Sequence, residues 1–311
     1  MMAEKKIAVI GECMIELSSQ GERLKRGFGG DTLNTAVYIA RQTPADQLTV
    51  EYVTALGNDN FSSEMLAAWQ QEGVRTDLVQ RLENRLPGLY VIETDAHGER
   101  TFSYWRNEAA ARFWLRSPQA EAICQQLAQF DYLYLSGISL AILTAEDRQR
   151  LMTLLSACRA NGGKVIFDNN YRPRLWASRE DAQQAYQAML ERTDIAFLTL
   201  DDETLLWDEA PVEQVIARTR AAGVSEIVIK RGADACLVAL NTQPLLEVPA
   251  MRLEKEKIID TTAAGDSFSA GYLAVRLCGG SAQEAAQRGH LTASTVIQHR
   301  GAIIPLNAMP H

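Results

Sequence analysis

Asp266 follows a run of small residues, Thr262, Ala263, Ala264 and Gly265, and precedes apolar residues at helical spacing, Phe268, Tyr272 and Val275. The pattern predicts a tight turn opening a helix, with 257–259 as the buried strand before it. In the first turn of a helix the backbone N–H groups have no internal partner and the dipole is positive, so such a turn can hold an anion. Small side chains let a phosphate reach the main chain, and Asp266 beside it could take a proton from an attacking hydroxyl. The chemistry on offer is phosphoryl transfer. The same residues also suit a plain helix start, with Thr261 or Thr262 as N-cap and Asp266 complementing the dipole. A glycine in the first turn costs about 1 kcal/mol against alanine, and a purely structural start gains nothing from it.

The elements that would position this turn alternate regularly. Helix-like patterns at 118–129, 144–161, 179–192 and 211–222 precede strand-like runs at 132–135, 165–167, 195–198 and 227–229, and further strands follow at 236–240 and 245–248. Nearer the N-terminus, strands are expected at 6–11, 13–17, 24–28 and 50–56, a helix at 32–41, and another after Asp59, a good N-cap, up to residue 72. Strands joined through helices imply right-handed crossovers. The fold expected is α/β, a doubly wound and mostly parallel sheet flanked by helices. Ligands in such sheets bind beyond the C-terminal strand ends, where Asp168, Asn170 and Arg172, Asp201 to Glu203, Lys230 to Gly232, and Asp260 fall. Residues 86–106 alternate instead as a hairpin, turning at 95–98, with one face open to solvent. Together, 12–30 and 86–112 form a candidate small β-sheet lid on a single domain, 1–311.

A net charge of −8 with no basic run argues against nucleic acid or an anionic membrane as partner. No stretch approaches the ~20 apolar residues of a membrane span. Five scattered cysteines without zinc spacing suit a reduced, cytoplasmic chain. Gly27, Gly29 and Thr32 leave the dinucleotide fingerprint incomplete, which disfavours a dehydrogenase.

Asp260-Thr-Thr-Ala-Ala-Gly-Asp266 resembles the second signature of the ribokinase-like (PfkB-type) carbohydrate kinases, with Ala263 where glycine is commoner. Gly29, Gly30, Asn34 and Ala36 resemble the first, and further matches run in order to Gly301. The resemblance implies a ribokinase-like fold with a lid and an ATP-dependent sugar kinase. Asp266 would be its base, and the N–H groups of Ala263, Ala264, Gly265 and Asp266 its anion hole. It puts Lys230, Gly232, Thr262, Gly265 and Ser294 on the nucleotide side. It also assigns Glu203 a water-mediated role on Mg²⁺, although Leu200 replaces the usual Asn; solvated acids at a helix start are the alternative. His290 reads as a packed helical residue.

Within the family, Glu12-x-Met-Ile-Glu16, the Gly29–Ala36 stretch and the Gly265–Tyr272 stretch look most like the kinases of 2-keto-3-deoxygluconate. That implies an acid sugar held by Gly29, Gly30, Asn34, Tyr90, Tyr104, Arg106 and Arg172, and 2-keto-3-deoxy-6-phosphogluconate as product. An Arg fork suits a substrate carboxylate, and Arg106 lies two residues from Tyr104, on the same strand face. A solvated hairpin arginine is the plain alternative. Fructose is the runner-up substrate. A non-catalytic sugar- or nucleotide-binding regulator ranks below it, because Gly265 and Asp266 are intact. The solvent-open lid suggests a homo-oligomer paired through it.

Overall fold

The computed structural model describes residues 4–20, 23–94, 100–208, 211–241 and 243–310. Its centre is an eight-stranded sheet, in the spatial order Leu246–Val248, Cys236–Leu240, Glu226–Lys230, Ile195–Thr199, Lys164–Asp168, Tyr132–Ser136, Lys5–Ile10 and Leu48–Val53. Pairing is parallel from Leu48–Val53 through Glu226–Lys230 and antiparallel for the last two strands. Strand pleating sends alternate residues to opposite faces. Ile7, Val9, Ile166, Phe197 and Val228 join one buried layer, and Ala8, Ile10, Phe167, Leu198 and Ile229 the other. Both faces are covered, which is why these strands read as unbroken apolar runs.

Helices Ala120–Leu127, Ala145–Ala160, Arg179–Leu190 and Val212–Ala221 lie where the pattern predicts them. Asp59 caps Asn60–Gln71 by accepting the Ser62 N–H at 3.0 Å. The helix Ala264–Arg276 packs against Ala282–Val296 and Asp31–Gln42. Glycine permits this close approach: a Cβ on Gly271 would stand 2.5 Å from Thr292 Oγ1, and one on Gly289 would stand 2.9 Å from the Phe268 ring.

Three expectations need correction. Residues 257–259 are not a buried strand: Lys255–Lys257 is a short 3-10 turn, and Ile258 and Ile259 are exposed. The Ile259 and Asp260 N–H groups donate to the Ile297 carbonyl at a helix end, at 2.8 and 3.1 Å, rather than to a neighbouring strand. The strand expected at 195–198 runs to Thr199 and passes directly into a helix, Leu200–Trp207, for which the sequence reading gave no bounds. The small sheet, ordered Arg23–Gly29, Met14–Gln20, Leu89–Thr94, Arg100–Trp105, ends at residue 105 rather than 112. Beyond it Ala110–Arg116 forms a 3-10 helix whose Ala110, Ala111, Trp114 and Leu115 pack into the main core. The turn expected at 95–98 lies outside the described residues. Among the described residues no helix is long and apolar enough to cross a membrane.

Candidate active site

The turn before Ala264 is built on Asp260. One oxygen of its buried carboxylate accepts the Thr262 N–H at 3.1 Å and the Thr262 hydroxyl at 2.5 Å; the other accepts the Gly301 N–H at 2.9 Å. Neither Thr261 nor Thr262 caps the helix. Ala263 holds the N-cap position with no side-chain cap, at φ −111, which a methyl side chain tolerates. The Ala264 N–H closes the turn on the Thr261 carbonyl at 3.2 Å. It is therefore not free to meet an anion, which corrects its place in the expected set. The N–H groups of Ala263, Gly265 and Asp266 have no protein partner among the described residues. A Cβ on Gly265 would meet only Lys230 Nζ, at 3.4 Å. No packing need explains this glycine.

Beside the turn lies a cavity of about 640 Å³, bounded by Thr262, Ala264, Gly265, Asp266, Lys230, Gly232, Asp168, Asn170, Arg172, Asp202 and Ser294. Gly232 sits at φ +60, a conformation that glycine adopts without strain. Asn170, at φ +26, is one of the residue types that tolerates this region. His290 borders the same cavity but is packed, its Nε2 3.1 Å from the Val248 carbonyl. Thr292, two residues before Ser294 on the same helix, donates to the Gln42 side chain at 2.9 Å.

Asp266 accepts from Asn34 Nδ2 at 2.9 Å. Burial pushes its carboxyl up to about 8; the nearby Asp31 and Asp168 charges push the same way, while Asn34 and Lys230 oppose. Part of its surface still opens to the cavity, so a proton can leave or arrive there.

The second half of the candidate site comes from the small sheet. A Cβ on Gly29 would strike the Tyr90 hydroxyl at 2.0 Å, and one on Gly30 the Glu12 carbonyl at 2.2 Å, so both glycines are needed for close packing here. Tyr90 donates its hydroxyl to Glu16 and faces Tyr104 across the strands, ring centroids 5.8 Å apart. Arg106 is not a solvated hairpin residue. It is buried and ion-paired with the buried Glu12, and its guanidinium lies 5.9 Å from the Tyr104 ring centroid. Arg106 Nε and Glu12 Oε1 are both buried without a hydrogen-bond partner.

Two sequence-derived assignments separate from this group. Glu203 is buried, accepts from Asn169 Nδ2 at 2.8 Å, pairs with Arg218, and does not border the cavity. Asn169 and Arg218 hold its carboxylate away from the cavity, and at 1% exposure it is not a solvated acid at a helix start. Its neighbour Asp202 borders the cavity, its carboxyl raised by burial. Arg172 is half exposed, 3.8 Å from Asp202 on the Lys230 side of the site. Nothing brings it to Arg106.

A model of the pfkB family of carbohydrate kinases matches residues 4–309. The chain belongs to this family. It is 74% identical over 309 residues to the 2-dehydro-3-deoxygluconokinase of Dickeya dadantii (strain 3937), covering 99% of this chain and 100% of that relative. It is 73% identical over 306 residues to the enzyme of the same name from Escherichia coli (strain K12), covering 98% and 99%. The crystal structure of a fructokinase with bound ATP from Xylella fastidiosa shares the fold, with a TM-score of 0.80 at 23% identity over 99% and 95% of the two chains. In this pfkB chain the sequence reading named Asp168 at a strand end and quoted Glu12 and Glu16 within a resemblance without giving any of the three a role, and it passed over Asp31. Asp31 follows Gly30 directly and holds Asn170 Nδ2 at 2.5 Å, a position its place in the Gly-Gly segment could have flagged.

Proposed function

We propose that this chain transfers the γ-phosphoryl group of ATP to 2-keto-3-deoxygluconate (2-dehydro-3-deoxygluconate), giving 2-keto-3-deoxy-6-phosphogluconate. The observation that carries the reading is the 74% identity, along essentially both whole chains, with a relative bearing that name. The buried Arg106 Nε without a partner supports it, since a substrate carboxylate is the acceptor such a donor lacks. In this reading Gly29, Gly30, Asn34, Tyr90, Tyr104 and Arg106 hold the sugar. Asp266, oriented by Asn34, takes the hydroxyl proton. The Ala263, Gly265 and Asp266 N–H groups meet the charge that develops on the phosphoryl oxygens. ATP lies along Lys230, Gly232, Thr262 and Ser294, with Arg172 beside its phosphates. Mg²⁺ fits as an ion borne by those phosphates and water, with Asp202 among the carboxylates that border the same cavity. Among the described residues no group of three His, Cys, Asp or Glu could hold a metal alone. When bound, Mg²⁺ supplies charge neutralisation. The test is turnover on a sugar panel with ATP and Mg²⁺: 2-keto-3-deoxygluconate should give the highest kcat/KM, and a preference for fructose or ribose would overturn the substrate.

Gly265→Ala separates function from folding. The new methyl would touch only Lys230, and replacing glycine in a helix with alanine gains up to about 1 kcal/mol. The variant should melt no lower than the parent yet lose about 10²-fold or more in kcat, the scale of one blocked oxyanion donor. Thermal melts and turnover read both effects, and full activity would sink the anion-hole assignment.

We read the small sheet as a lid on a single domain, covered on its outside by a second copy. Leu24 and Trp105, on the face of this sheet opposite Tyr90 and Tyr104, remain exposed in the single chain. Sedimentation should find a dimer that Trp105→Glu dissociates; a monomeric parent would refute the pairing.

A further inference from the structure

Lys230 ends the strand Glu226–Lys230 with its side chain about nine-tenths buried, at 11% exposure. Its ammonium donates to Asp168 Oδ2 at 2.7 Å and stands 3.5 Å from Ser269 Oγ. Ser269 also donates to that aspartate oxygen, at 2.9 Å, so strand end and helix hold one carboxylate between them. The Lys230 nitrogen is also 3.4 Å from where a Gly265 Cβ would stand, against the turn that leaves backbone N–H groups unpaired. An ammonium has three donors. The salt bridge uses one, Ser269 lies at the edge of hydrogen-bond range, and the side chain borders the cavity. Arg172, one of the arginines that border the same cavity, is half exposed, donates to the Tyr171 carbonyl at 2.9 Å and lies 3.8 Å from Asp202.

We infer that Lys230 is a catalytic residue whose ammonium binds the non-bridging oxygens of the transferring phosphoryl group, with Asp168 and Ser269 as the positioning residues that hold it beside Gly265. The inference rests on the kinase reading above and deepens it. In the step, an oxygen lone pair of the sugar hydroxyl forms the new bond to phosphorus. The bond from phosphorus to the ADP oxygen breaks and its electron pair leaves with ADP. The hydroxyl proton passes to Asp266, and Lys230 stays protonated throughout. Negative charge on the phosphoryl oxygens is what such a step must stabilise, and a cation already fixed by a buried carboxylate does so without reorganising. A lysine that only anchored a ground-state phosphate would act on KM for ATP and leave kcat alone.

Lys230→Met should lower kcat about 10²–10³-fold, with KM for ATP within about threefold of the parent. It should also move the rising limb of the kcat/KM pH profile upward, because the ammonium is the cation that favours ionised Asp266 against Asp31 and Asp168. The substitution strands the Asp168 charge in a buried place. Asp168→Asn/Lys230→Met, read against Asp168→Asn alone, therefore gives the same split in a chain without that stranded charge. A folded variant whose kcat stays within about tenfold of its reference, or whose loss lies in KM for ATP alone, overturns the inference. A parent inactive with ATP on every sugar tried would overturn the kinase reading instead.

Discussion

Asp266→Asn is expected to lose about 10²–10⁴ in kcat, the usual share of a general base, while still binding sugar and ATP. The substitution is isosteric, and it can keep the 2.9 Å contact with Asn34 once the Asn34 amide turns to offer its oxygen. What it removes is the proton acceptor. Turnover within about tenfold of the parent, below the ordinary contribution of a base, would make Asp266 a dipole-complementing helix residue and nothing more. pH gives an independent reading. Folding raises this carboxyl from its ordinary 3.8 to about 8, mainly by burial and by Asp31. Between those values the folded chain binds more protons than the unfolded one, so this residue's contribution to stability falls as pH rises from 3.8 through 8. Asp266→Asn removes that fall. Its denaturation midpoint should exceed the parent's on the alkaline side and match it in acid. Parent kcat/KM should climb over the upper part of the same range, as the base ionises. A site that is most active where it is least stable is the expected cost of holding a carboxylate ready beside other acids.

The sheet was legible because its strands are buried on both faces, and 164–168, 195–199 and 226–230 announce themselves as apolar runs without any knowledge of their partners. The turn at Gly265 was legible for a local reason too: small residues, a glycine and an acid at a helix start. What sequence could not supply was direction and distance. Asp202 and Glu203 are adjacent, but successive helical residues point about 100° apart, and in the helix Leu200–Trp207 only the first of the two faces the cavity. Choosing between them needs the helix phase, and a helix start read from sequence carries no phase. Apolar side chains misled at 257–259 because Ile258 and Ile259 looked like a core strand. Ile258 borders the cavity instead, and the backbone there bonds to a helix end. The pairing of Glu12 was invisible for a simpler reason. Its partner lies 94 residues away, and nothing local marks a carboxylate after a first strand as half of a buried pair.

That pair frames the second large effect. Arg106→Ala should cost about 3–5 kcal/mol of folding stability, because it leaves Glu12 as a buried acid without its cation. Burial already raises the Glu12 carboxyl even with Arg106 present. The same substitution should cost about 2–4 kcal/mol in kcat/KM for 2-keto-3-deoxygluconate, roughly 30- to 1,000-fold, and far less for a neutral sugar. The single variant cannot say whether activity fell because the sugar carboxylate lost its fork or because the sheet loosened. Glu12→Gln/Arg106→Gln separates the two causes. It removes both charges, keeps polar side chains at both sites, and should recover most of the lost stability. It has no guanidinium to meet a carboxylate, so activity on the acid sugar should stay low while turnover of a neutral sugar recovers. Glu12→Gln alone leaves the fork in place and should keep acid-sugar turnover at a modest cost in stability. Urea titrations and kcat/KM on the two sugars measure all four chains. If the double variant regained acid-sugar activity together with stability, Arg106 would be a brace for the sheet, and the substrate carboxylate would have to be met elsewhere.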